Sequence, residues 1–253
     1  MILCISDMDP IQDLYTFVET TRRGMDTQTS NIFAASCGRW LRYYLFLQII
    51  RARFAQESEA YTTEIYQYTE RIQRSLSSGP RNMAPEEWQE LQHIQSLEQL
   101  IHLEIESFYT FAKILLDRIA DTFSYFYSVP LRKKGSSYSQ LTTKFESVCT
   151  DRGSLVEPPD LLALMQDLKI HVTEFRTNRI EHFSAPGVMF GKSQDAQIVQ
   201  TMLCPSIPSM PSEQTQDLDE LLAKIDCFIP AIIQFFEANL KKSILHRTPS
   251  PST

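Results

Sequence analysis

The chain has 253 residues, 43% of them hydrophobic and 11% aromatic, with only 7 Gly. That is ample material for a buried core, and long runs without Gly or Pro favour long helices over strands joined by tight turns. The 31 acidic and 24 basic residues leave a net charge of −7, which excludes a general attraction to nucleic acid or anionic membrane, so any basic patch must be local.

Asp9 followed by Pro10 is a cap and first-turn pair, and Ile11, Leu14, Tyr15, Phe17 and Val18 then predict a short amphipathic helix ending near Gly24, a lid for the bundle. From Asn31 to about Leu76 a long helix is expected, with Trp40, Tyr44, Leu47, Ile50, Phe54, Tyr61, Ile65, Tyr68 and Ile72 on one face. Pro85 opens a second long helix that runs to Tyr127, where Val129 and Pro130 stop it. At 1.5 Å per residue it is about 64 Å long, and the short link between the two predicts an antiparallel pair. A basic link, RKKGSSYS, leads to a short helix from about Ser139 to Cys149.

The segment from Pro159 to Phe183 combines a helical period with a concentration of polar groups. Leu161, Leu164, Met165, Leu168, Val172, Phe175 and Ile180 form an apolar stripe on a helix of about six turns. Asp167, His171, Glu174, Arg176, Asn178, Arg179, Glu181 and His182 stand against it and thicken toward the end, where Ala185, Pro186 and Gly187 stop the helix. Beyond it, Val188–Phe190 and Ile198–Met202 flank the turn-like GKSQDAQ and predict a small hairpin. A last helix is expected from about Ser212 to Leu245, kinked at Pro230. The reading is all-α: an elongated up-and-down bundle in a single helical domain over 1–245, with an irregular or hairpin insert before the last helix and a disordered tail, HRTPSPST, over 246–253.

Arg176, five intervening residues and His182, late on an amphipathic helix, resemble the Arg-x(4 to 6)-His signature of the HEPN superfamily. The preceding helix, LEIESFYTFAKILLDRIADTFSYFY, is also similar to the helix that packs beside the motif helix in HEPN-like proteins. The resemblance implies a helical bundle that works as a homodimer. It also implies a metal-independent endoribonuclease of a toxin or defence system, with RNA as substrate, an antitoxin or other protein as partner, and no cofactor. Arg176 and His182 would be catalytic, with Asn178, Arg179 and His171 in support. His titrates near neutrality and can move the proton of a 2′-hydroxyl, while Arg offers a permanent charge and a planar fork to the phosphate. Six steps of 100° put the two side chains about 120° apart on a uniform helix, so His182 must bend back at the helix end or meet a partner subunit's Arg.

In active members the residue after the Arg is usually Asn, Asp or His, whereas this chain has Thr177. The alternative is therefore a non-catalytic HEPN-like binding or scaffold module, in which the charged face is simply solvated. The acidic net charge favours this alternative.

Other constellations carry less. Glu90 and His93 make one Glu-x-x-His pair of the kind a di-iron bundle needs twice, and the second copy is missing, so no metal site is expected. Phe108, Tyr109, Phe111, Phe123, Tyr125, Phe126 and Tyr127 are more aromatic residues than one helix face buries, which predicts core plus a dimer contact. The cysteines, Cys4, Cys37, Cys149, Cys204 and Cys227, are far apart and never in a Cys-x-x-Cys pair, so reduced thiols in a cytoplasm are expected. No stretch approaches about 18 apolar residues and MILCISDMDP lacks a basic n-region, so neither a membrane span nor a signal peptide is expected.

Overall fold

The computed structural model describes residues 9–76, 83–131, 137–151, 155–158, 160–176, 187–192, 198–203 and 218–243. Six α-helices lie within them: α1 (Pro10–Arg22), α2 (Thr27–Leu76), α3 (Pro85–Tyr127), α4 (Ser137–Asp151), α5 (Leu161–Leu168) and α6 (Leu218–Asn239). The all-α reading holds. No described helix is long and apolar enough to cross a membrane. The 246–253 tail lies outside the described residues.

Helices α2 and α3 form a long antiparallel hairpin, the most extensive helix pair, on which α1, α4 and α6 pack. In α2 the residues Phe33, Cys37, Trp40, Tyr44, Leu47, Phe54 and Ser58 turn inward at steps that fit a seven-residue repeat, and in α3 Ile94, Ile101, Ile105, Phe108, Ala112, Leu115 and Ile119 do the same. A 3.5-residue period keeps a seam facing its partner over many turns, which is why helices of 50 and 43 residues stay paired. Across the distal part, Arg53 pairs with Glu104 and Arg71 with Glu90.

Local signals explain most boundaries. The Asp9 carboxylate accepts the Ile11 N–H at 2.9 Å and starts α1. Asp26 accepts from Thr29 at 3.0 Å, so α2 begins at Thr27, four residues before the expected start. Helix α3 ends on Ser128 with φ 52°, a left-handed residue whose N–H returns to the last-turn carbonyls. That turn, and not Pro130 alone, stops the helix.

One contiguous hydrophobic cluster draws on all six helices. At its centre Phe236 of α6 meets Phe17, Trp40, Phe126 and Tyr127 at ring separations of 5.5–6.4 Å. Each such side chain contributes roughly 1.5–3 kcal/mol by leaving water. Polar ties set the position of α6 on the hairpin: Tyr44 donates to Asp226 at 2.7 Å, and Arg51 grips Asp219 through two hydrogen bonds. The hairpin predicted before the last helix is present as β1 (Gly187–Lys192) and β2 (Ile198–Leu203), antiparallel with Gly187 opposite Leu203 and Lys192 opposite Ile198.

The aromatic surplus of α3 is largely internal. Phe108, Tyr109, Phe123, Phe126 and Tyr127 are buried in the chain's own core, because α1, α4, α5 and α6 surround this half of α3 on more than one side. Of the seven, Tyr125 is exposed and Phe111 is half-buried. The cysteines also depart from expectation. Cys37 and Cys149 are free and buried, but Cys227 is disulfide-bonded. Distance along the chain does not tell which cysteines a fold brings together. A disulfide belongs more readily to an oxidising environment, so a cytoplasmic setting no longer follows from the thiols.

Candidate functional site

The motif helix is held from two sides. The Tyr138 hydroxyl of α4, fully buried, donates to the Met165 carbonyl at 3.1 Å, and the Phe175 ring lies 4.5 Å from that of Tyr109. Leu161, Met165, Leu168, Val172 and Phe175 are at or near zero exposure, as the apolar stripe predicts. Upstream, fully buried Asn239 of α6 clamps the approach segment: it donates to the Val156 carbonyl and accepts the Val156 N–H, both at 2.7 Å.

The helix is not uniform. After Leu168 it widens into a π-helical segment, Lys169–Glu174, in which the Phe175 N–H reaches back five residues to the Ile170 carbonyl. Ile170, Val172 and Thr173, three β-branched residues whose side chains crowd a regular α-turn, fall within it. The expected continuous α-helix over 159–183 is therefore corrected: regular α-helix covers Leu161–Leu168. The separation of about 120° expected of Arg176 and His182 involves residues 177–182, which lie outside the described residues. π-Helical turns occur frequently at functional sites.

Arg176 is the last described residue of this helix, half-buried, with its Nε inside the protein. His182, Asn178 and Arg179 lie outside the described residues. His171 sits within the π-helical segment with its Nε2 3.2 Å from Asp167, and its side chain is only 13% exposed. Asp167 is the hub of a small network, because Lys224 of α6 approaches its other oxygen at 3.0 Å and also lies 3.5 Å from Glu220. Burial alone would raise the Asp167 pKa, but hydrogen bonds from His171 and Lys224 and their charges outweigh it and hold the carboxyl below its ordinary value. Lys169 lies 3.9 Å from Glu174. Between this segment and α4 runs a groove of about 390 Å³ that includes Thr142, Glu146, Gln166, Lys169 and Glu174. Its lining carries carboxylates as well as a cation, a poor cradle for a phosphate.

The Glu90/His93 pair is divided between partners on α2: Glu90 meets Arg71, and His93 Nε2 lies 3.2 Å from Glu64. Among the described residues no three His, Cys, Asp or Glu side chains come together as a metal site.

Two features were missed in the sequence. The Asp167–Lys224 contact joins residues distant along the chain, and nothing local announces it. The second was legible: from Thr27 to Gln56, α2 carries four arginines and not one Asp or Glu, in a chain of net charge −7. Comparison with protein-family models, with curated proteins and with solved structures found no match for the chain.

Proposed function

We propose that the chain is a non-catalytic binding or scaffold module built on a HEPN-like bundle. The observation that carries this reading is the use to which the motif helix puts its charges: Lys169, His171 and the neighbouring Lys224 are each set against a carboxylate of the same chain. The Lys224–Asp167 contact ties α6 to α5, and lysines neutralised in this way offer little to a phosphate in a transition state. Thr177, in place of the residue that active relatives carry, agrees with that reading.

A second reading, metal-independent RNA cleavage by Arg176 and His182 in a homodimer, is favoured by the π-helical segment immediately before Arg176. One experiment separates the two: gel-resolved cleavage of end-labelled total RNA, with and without chelator, by wild type, Arg176→Ala, His182→Ala and Arg179→Ala. The binding module gives no cleavage above background in any sample. Chelator-resistant cleavage that falls by about a hundredfold or more in Arg176→Ala and His182→Ala, and less in Arg179→Ala, would establish the nuclease instead.

A further inference from the structure

Helices α1, α4 and α6 and the π-helical segment pack on the α2–α3 hairpin, and strand β2 also touches α2, yet one face of α2 stays exposed and forms an open flank among the described residues. Along that open flank α2 presents a stripe at steps of three and four residues: Ile32, Ala35, Arg39, Arg42, Phe46, Ile49 and Arg53. Apolar and arginine positions alternate by the turn, with Ile32, Arg39, Phe46 and Arg53 seven residues apart. Opposite them α3 sets Tyr125, Arg118 and Phe111. At its Phe46 end the groove is apolar. Phe46 and Phe111 meet edge-on at 5.1 Å and Tyr43 completes the cluster at 6.0–6.1 Å, while Ile49 is 55% and Tyr125 49% exposed. At the Ile32–Tyr125 end it deepens into a cavity of about 290 Å³ whose lining is mixed and includes Arg39, Arg118 and Asp121.

From these observations we infer that the open flank is the docking site for an acidic amphipathic helix of a partner protein. The inference rests on the binding-module reading and names its partner class. A shallow groove between two antiparallel helices is the seat for a third, as α6 demonstrates on the covered flank, and a stripe repeating every seven residues matches a helix lying along α2. From Ile32 to Ile49 the stripe is about 26 Å long, room for roughly five helical turns. The charge decides which helix. Arg39 and Arg42 have no carboxylate partner among the described residues, and Arg118 is met only by Asp121, at 3.2 Å. A second copy docking the same face would set arginine against arginine, which is repulsive. Single-stranded RNA would find the arginines and the exposed Tyr125 ring, but it has no use for Ile32 and Ile49, and Tyr43, Phe46 and Phe111 pack on one another.

The test is fluorescence anisotropy on the full chain with a labelled helical peptide of about 21 residues, three heptads long, carrying Leu on one face and Glu on its flanks. The same peptide with Lys for Glu and a single-stranded RNA serve as competing probes. The expected result is binding of the Glu peptide about tenfold or more tighter than the Lys peptide, weakening with salt. Arg39→Glu combined with Arg42→Glu should reverse the preference, and Ile49→Glu should abolish binding; all three side chains are exposed, and circular dichroism should confirm an unchanged fold. Equal binding of the two peptides, or no binding of either, overturns the inference. Tighter binding of RNA that is lost in the double variant overturns it in favour of nucleic acid, and a doubled mass in sedimentation that Ile49→Glu abolishes overturns it in favour of a second copy. Arg176-dependent RNA cleavage with Glu-peptide binding intact would instead overturn the non-catalytic reading and leave the docking site standing.

Discussion

Replacing Asn239 tests how the approach to the motif helix is held. The Asn239 side chain is fully buried and makes three hydrogen bonds, two with the Val156 backbone at 2.7 Å and one to the Phe235 carbonyl at 2.8 Å. In Asn239→Ala the Phe235 carbonyl keeps its helical partner, but the Val156 N–H and C=O lose theirs. Because Val156 itself is 57% exposed, these groups regain some water, so the lower end of the usual penalty applies, about 1 kcal/mol each. The small cavity adds up to about 1 kcal/mol, for a total of about 2–3 kcal/mol. In a chain of this size that lowers the melting temperature by about 5–10 °C. Asn239→Asp is the sharper variant. A carboxylate still accepts from the Val156 N–H but turns a buried charge toward two carbonyls, so it should cost more than Asn239→Ala at neutral pH. Acidification protonates it, restores a donor and narrows the gap. Thermal melts monitored by circular dichroism at pH 7 and pH 4.5 would measure all of this. A drop of less than about 1 °C for Asn239→Ala, or an Asp variant more stable than the Ala variant at pH 7, would refute the reasoning.

Three further outcomes are expected. Glu57 has its pKa raised by burial and by the nearby Glu104, partly offset by Arg53; the stability it contributes is present in acid and lost as pH rises through its raised folded pKa, so Glu57→Gln should melt higher than wild type at pH 7 and equal to it in acid. Asp167 is the opposite case, a carboxyl held below its ordinary value despite burial. Its contribution is present above the unfolded pKa and lost as pH falls through the lowered one, so Asp167→Asn should be less stable at pH 7 with a deficit that closes in strong acid. Ser128→Gly relieves a left-handed residue at the end of α3 and should raise stability by up to about 1 kcal/mol in urea denaturation; a loss would mean that the Ser128 side chain contributes more than its backbone costs.

The sequence by itself determined the helices and much of their pairing. Hydrophobic period and end signals are local, so Pro85–Tyr127 was read to the residue, α1 and the end of α2 nearly so, and even the strands flanking GKSQDAQ were legible. The apolar stripe of Leu161 to Phe175 was likewise visible, and it is core. What only the tertiary structure decided depends on neighbours. Whether the aromatics of α3 face a partner or the chain's own core depends on how many helices surround that part of α3, and five of the seven went inside. Whether Lys169, His171 and Asp167 are free for chemistry depends on what stands opposite them, and Lys224, more than 50 residues away, could not be seen from the motif. The widening at Lys169–Glu174 lies within a segment whose pattern is that of an ordinary helix, because a hydrophobic stripe records which side chains are buried and not how the backbone closes its turns. The arginine stripe of α2 is present in the sequence, but that it is left exposed was decided by where the other helices pack on the hairpin.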